Sequence, residues 1–350
     1  MAKGKKTGAG ETLSQLKADL KAGSFRRMYV LFGEEGYLLE YYRRQLRKKL
    51  VEGPAEDFNY HKFQEENWNL EELSEAVEAV PMMSEHTLVE IVDLDPFSRP
   101  DSERQKLMGI LSELPDYCTV VWIFDVVAWK PDKRMKKLWE VMEPALQVEF
   151  TRQPESQLIP WIRRHLAAGQ KTMSDELCRY LIMQTGGSMT ILAAELEKLL
   201  CYTDQPEIVK KDIDDVVIPV MEAAIFDITK DVGAKNFDRA LQKLRDLLRQ
   251  DTEPIAVNAV IGRQLRQLYG AKLLAERGKG PYDLVKLYGI WDSAAREIYG
   301  QAKGFSKEML RKGMLLSAQT DYAMKTSGGD SAALLEMMVL ELAQACGGTR

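Results

Sequence analysis

Residues 28–40 read MYVLFGEEGYLLE. An apolar run ends at Phe32-Gly33, and a charged, helix-prone stretch starts at once. A strand, a glycine turn and a helix start is the place where a phosphate-binding loop would sit. Such a loop needs G-x-x-x-x-G-K-[ST], so that backbone amides cradle phosphates, a Lys reaches the outer phosphates and a hydroxyl holds magnesium. Here Gly33 is followed by Glu34, Glu35 and Gly36, then Tyr37-Leu38-Leu39-Glu40. There is no Lys and no Ser or Thr, and two carboxylates lie where phosphates would approach. The turn has the shape of a nucleotide loop without its chemistry, and these four residues are the candidate degenerate loop.

The pattern outward from this turn alternates to about residue 150. Strands are expected at 27–32, 58–63 (FNYHKF), 87–94 (TLVEIVDL), 119–124 (TVVWIF) and 146–150, with helices at 35–51, 69–80, 102–114 and 133–142. Asn69 is a candidate helix N-cap. The run 119–124 is apolar throughout, which suits a strand buried on both faces. Strands alternating with helices imply a parallel sheet covered by helices. After residue 150 the strand signals stop. Helices are expected at 154–168, 174–184 and 188–202, the last two parted by Gly186-Gly187, and a short helix between Pro206 and Pro219. From Glu222 onward the chain reads as helix: Leu241, Leu244, Leu247 and Leu248 follow i, i+3, i+4 spacing, a similar stripe covers 255–277, and later helices cover about 305–325 and 331–345. No repeat of fixed period is present.

Composition sets the class. The chain has 350 residues, 45% hydrophobic and 29% charged, with a net charge of −5. That is globular composition of two or three domains, and the bulk charge does not advertise nucleic-acid binding, although a local basic patch remains compatible with it. The four cysteines, Cys118, Cys178, Cys201 and Cys346, have no C-x-x-C spacing and read as reduced thiols of a cytoplasmic protein. His61, His86 and His165 are far apart in sequence, so no metal site is expected. No apolar run approaches the roughly 18 residues of a membrane helix, and no membrane partner is expected. The lysine-bearing start, MAKGKKTGAG, lacks the apolar centre of a signal peptide and reads as a disordered tail.

The expected fold is α/β plus all-α, with a tail and leading helix over 1–24, an α/β domain over 25–150, a small helical bundle over 151–218 and a larger helical domain over 219–350. An α/β domain followed by a small helical one is the layout of the AAA+ ATPases. A Walker B strand would end in Asp-Glu to handle magnesium and water. The best candidate, LVEIVDLD, ends at Asp93 and Asp95 with no such pair, and Asp125 ends the next strand. The Ser-Arg-Cys triplet that carries the arginine finger of clamp-loader ATPase subunits is absent from the sequence. Glu195 and Glu197 point to different faces of one helix and do not make an acid/base pair. No catalytic residue and no cofactor are expected.

Three stretches together resemble the delta subunit of the bacterial DNA polymerase III clamp loader. MYVLFGEEGYLLE resembles that family's opening strand and turn. GGSMTILAAELEKLLCYT resembles its second-domain helical motif, with Ala194 where the family usually has Asn. Residues 225–277 resemble its third-domain helices. The resemblance implies an AAA+-like domain, a lid and a collar, and a chain that binds the ring-shaped sliding clamp (beta subunit) and helps open it for placement on primed DNA. It implies partnership with ATP-hydrolysing loader subunits and delta-prime, without ATP hydrolysis by this chain. It also implies that the clamp contact falls at the end of a first-domain helix, here Pro81, Met82 and Met83. The family usually has Phe or Leu-Phe there; methionine departs from that pattern but adapts to pockets of varied shape. The same stretch read without the resemblance is a buried loop packed on its own sheet. On the helix 255–277, Arg263, Arg266, Lys272 and Arg277 are a solvated face or a contact with DNA or a neighbouring subunit. Three other readings stay open: an active AAA+ ATPase with a divergent nucleotide site, a different loader subunit, and a helical scaffold unrelated to replication.

Overall fold

The computed structural model describes residues 9–250, 252–326 and 328–347. The expectation for the basic tail at residues 1–8 lies outside them. The chain forms two compact units, one ending at Gln153 and the other starting at Pro154.

The first unit runs α1 (Ala9–Ala22), β1 (Met28–Gly33), α2 (Gly36–Leu50), α3 (Glu56–Asn59), β2 (Tyr60–Phe63), α4 (Leu70–Glu78), β3 (Thr87–Val92), α5 (Asp101–Ser112), β4 (Cys118–Phe124), α6 (Lys136–Met142) and β5 (Leu146–Phe150). Its five-stranded sheet has the order β2-β3-β4-β1-β5, and every pairing is parallel. Parallel strands need crossovers, and the helices that supply them cover both faces. Alternation along the strands decides which residue meets which layer. Val30, Val89, Ile91, Trp122 and Phe124 pack against Leu73 and Val77 of α4, Leu107 of α5 and Met142 of α6. Tyr29, Leu31, Val121, Ile123 and Val148 pack against Leu16 of α1 and Leu39, Tyr42 and Leu46 of α2. All residues of β4 are buried, as its unbroken apolar run requires.

Two elements differ from the sequence reading. The strand expected at 58–63 starts only at Tyr60, because residues 56–59 close a helical turn with Phe58 exposed and Asn59 buried. The helix expected at 133–142 starts only at Lys136. Upstream of it the Asp132 carboxylate accepts the Arg134 backbone N–H at 3.0 Å, a local turn that competes with helix.

The second unit is helical: α7 (Glu155–Ala168), α8 (Asp175–Gln184), α9 (Met189–Tyr202), α10 (Lys210–Val216), α11 (Met221–Gly233), α12 (Phe237–Leu248), α13 (Pro254–Glu276), α14 (Pro281–Tyr288), α15 (Asp292–Ala302), α16 (Lys307–Thr326) and α17 (Ser331–Gly347). Ser174 and Ser188 cap α8 and α9 with their side-chain oxygens. Ile162, Leu166, Leu181, Leu192, Leu196 and Leu199 are buried along α7 to α9. A second apolar core gathers Ile225, Leu244, Leu265, Leu268, Leu310, Leu335 and Val339 from α11 to α17. Gly262 of α13 lets α16 approach: a Cβ there would sit 2.8 Å from Ser317 Oγ, and Asn258 Nδ2 donates to the Ser317 carbonyl at 2.9 Å.

Candidate functional site

The first site is the turn after β1. Gly33 has φ +130°, and a Cβ would lie 2.2 Å from the Phe150 carbonyl oxygen, so only glycine fits where β1 runs against β5. The Glu35 N–H donates to that same carbonyl at 3.0 Å. Because α2 begins at Gly36, only Glu34 and Glu35 connect strand to helix. So short a link has no room to wrap a phosphate, and one of its amides is already spent on β5. Glu34 is exposed and lies 3.6 Å from Arg152, whereas Glu35 is buried at the start of α2. A helix N-terminus attracts an anion; Glu35 is the N-cap residue of α2 and its side chain makes no cap hydrogen bond.

The acids offered for magnesium also have other work. Asp93, at φ +51°, accepts the backbone N–H groups of Asp125, Val126 and Val127 with one oxygen, each at 2.9 Å. That carboxylate ties the loop after β4 to the end of β3. Asp95 accepts the Phe97 N–H at 2.9 Å and so closes a turn. Among the described residues, no group of three or more His, Cys, Asp or Glu side chains is placed to hold a metal ion.

The second site is the link between α4 and β3. Asn69 caps α4 as expected, accepting the Glu71 N–H at 2.9 Å. The helix ends at Glu78, three residues before Pro81. Met82 is 50% exposed, Met83 83% and Val80 77%. Pro81 is half-buried, and Met83 holds a left-handed backbone at φ +51°. The loop is therefore not a plug packed on its own sheet; it presents apolar side chains outward. The loop is anchored at three points. Tyr117 Oη donates to the Glu78 carbonyl at 2.9 Å, and Ser84 Oγ donates to the Leu50 carbonyl at 3.3 Å. Asn59 donates through Nδ2 to the Met82 carbonyl at 2.8 Å and accepts the Met82 N–H at 2.7 Å. Val80 and Asn59 were missed from sequence: a valine before proline and an Asn inside an alternating stretch carry no local signal.

The basic residues of α13 do not form one face. At about 100° per residue, Arg263, Arg266 and Arg277 fall within about 60° of each other and Lys272 lies about 180° from Arg263. The three arginines are exposed and Lys272 is half-buried. Arg263 pairs with Glu222 of α11 at 3.0 Å.

Two family models match much of the chain. The DNA polymerase III, delta subunit model covers residues 29–150, and the DNA polymerase III delta subunit, C-terminal domain model covers residues 222–342. The chain belongs to the delta subunit family of the DNA polymerase III clamp loader.

Relatives of this delta-family chain span nearly its full length. DNA polymerase III subunit delta of Bacillus subtilis (strain 168) is 28% identical over 329 residues, 92% of this chain and 94% of that protein. The probable DNA polymerase III subunit delta of Aquifex aeolicus (strain VF5) is 23% identical over 302 residues, 84% of each. The solved structure of a Bacillus subtilis DNA clamp loader delta protein superposes with a TM-score of 0.56 at 26% identity, covering 95% of this chain and 99% of that one. The parallel sheet followed by helices, expected from the sequence, is the fold of this delta-family chain. No described helix is long and apolar enough to cross a membrane. The delta-like motif of α9 separates its two acids as expected. Glu195 is buried and pairs with Lys198 at 2.6 Å, while Glu197 meets His165 at 2.8 Å.

Proposed function

We propose that this delta-family chain grips the sliding clamp (beta subunit) and helps open it for placement on primed DNA, without hydrolysing ATP itself. The observation that carries this reading is the loop 79–84. Exposed apolar side chains on a loop bonded at the Met82 backbone, the Ser84 hydroxyl and the preceding helix end are what a surface needs to fill an apolar pocket on a partner. Pro81, Met82 and Met83 are the proposed clamp contact, and Val80 joins them on exposure. Methionine supplies a flexible thioether that fits an irregular pocket, with less fixed geometry than an aromatic ring.

The lack of hydrolysis is supported by the turn at Gly33, Glu34, Glu35 and Gly36. It carries no Lys and no hydroxyl, and Glu35 is buried at the helix start. The chain's partners in this reading are the ATP-hydrolysing loader subunits and delta-prime. Residues 25–150 form the clamp-binding AAA+-like domain, 151–218 a lid and 219–350 the collar that joins the subunits, in the cytoplasm. Arg266 and Arg277 are the better-placed candidates for contact with DNA or a neighbour, because Arg263 is paired with Glu222 and Lys272 faces the other way.

The test is binding of the purified chain to its cognate sliding clamp, with ATP turnover measured on the same preparation. Clamp binding without turnover is expected. No binding by the wild-type chain refutes the clamp reading. Turnover that falls on substituting Asp93 or Asp95 favours an AAA+ enzyme with a divergent site instead.

A further inference from the structure

We propose that Asn59 is the positioning residue of the clamp-docking loop, holding Met82 and Met83 in their binding conformation before any partner arrives. This rests on the clamp-binding reading above. Asn59 sits at the end of α3 and is 1% exposed, yet both ends of its amide serve one residue of a distant loop. Nδ2 donates to the Met82 carbonyl at 2.8 Å and Oδ1 accepts the Met82 N–H at 2.7 Å. The pair copies the two-bond exchange of neighbouring antiparallel strands. It satisfies a buried amide and a loop backbone together, so releasing the loop leaves the buried Asn59 amide unpaired.

The consequence is directional. Left free, Val80, Met82 and Met83 would lower their apolar exposure by folding back onto the domain. With Met82 pinned at its backbone and Met83 at φ +51°, the side chains cannot turn inward together. Tyr117 at Glu78 and Ser84 at Leu50 hold the flanks. Ordering a loop on binding costs affinity, and a loop already ordered avoids that cost.

The experiment compares wild type, Asn59→Ala and a distant core variant, Leu107→Ala, as full-length chains. Amide hydrogen exchange at Met82 is read in the free chain, and the dissociation constant for the sliding clamp is read separately. Expected for Asn59→Ala are loss of Met82 protection and a clamp dissociation constant raised about tenfold. Leu107→Ala lowers the unfolding temperature but leaves both readouts near wild type. Two results overturn the proposal: a Met82 amide equally protected with and without Asn59, or protection lost with clamp affinity unchanged. Should Asn59→Ala fail to fold, Asn59→Leu, which keeps the branched shape of the side chain but can neither donate nor accept, takes its place under the same two criteria. A wild type that shows Met82 protection but no clamp binding refutes the clamp reading and leaves the pin itself standing.

Discussion

Replacing both docking methionines, Met82→Ser/Met83→Ser, tests the interface energetics directly. Met83 is 83% exposed and Met82 50% exposed in the free chain, so each has that fraction of its side chain left to bury against a partner. Full burial of a Met side chain is worth about 1.5–3 kcal/mol. Scaling by exposure gives about 2 kcal/mol for Met83 and about 1 kcal/mol for Met82. The sum, about 3 kcal/mol, corresponds to a dissociation constant raised roughly 150-fold. Folding should barely change, because exposed substitutions away from caps and cores fall within about 0.5 kcal/mol. The assay is calorimetry or surface plasmon resonance against the clamp, with urea unfolding as the control for fold. Most of the change should appear in the dissociation rate. A shift of less than about fivefold, with unfolding unaltered, would refute the placement of the contact at this loop.

Three further outcomes follow from the same structure. Gly33→Ala should destabilise the first unit by about 3 kcal/mol or more, because φ +130° is strained for any side chain and the new Cβ would meet the Phe150 backbone; an unchanged urea midpoint contradicts this. Glu90, 1% exposed at the centre of β3, receives Arg43 at 2.7 Å and Tyr60 Oη at 2.9 Å, so Glu90→Ala leaves the partly buried guanidinium with only the more exposed Glu40, at 3.2 Å, and should cost about 3 kcal/mol, most of it recovered when Arg43→Leu and Tyr60→Phe are added. Burial first, then the Asp214 bond, pushes Tyr180 from its ordinary 10.0 up to about 12, and burial also raises Tyr29; both pKa values are higher folded than unfolded. Their contribution to stability is thus full below about pH 10 and is lost as pH rises toward about 12, which a urea midpoint falling between pH 9 and 11.5 would confirm and a flat one would contradict.

The sequence by itself determined the elements and their chemistry. Strand and helix periodicities are local, so β4 and the helices after residue 150 were legible. The identity of Glu34 and Glu35 in the turn after β1 was equally plain, because a missing Lys needs no structure to be seen. Local patterns failed where a distant partner sets the outcome. Residues 58–63 alternate like one strand, yet Asn59 leaves that pattern to pair with Met82, across 23 positions of chain. Asp93 ends an apolar run as a metal ligand would, but the amides of the β4 loop claim it. Arg263, Arg266, Lys272 and Arg277 recur along one helix, and only their angles and the Glu222 pair divide them. Whether Met82 and Met83 face a core or the solvent is likewise invisible in the string PMMSEH. Exposure belongs to the packed chain: it depends on where Tyr117, Asn59 and Ser84 pin the loop, and those contacts exist only once the sheet has brought their elements together.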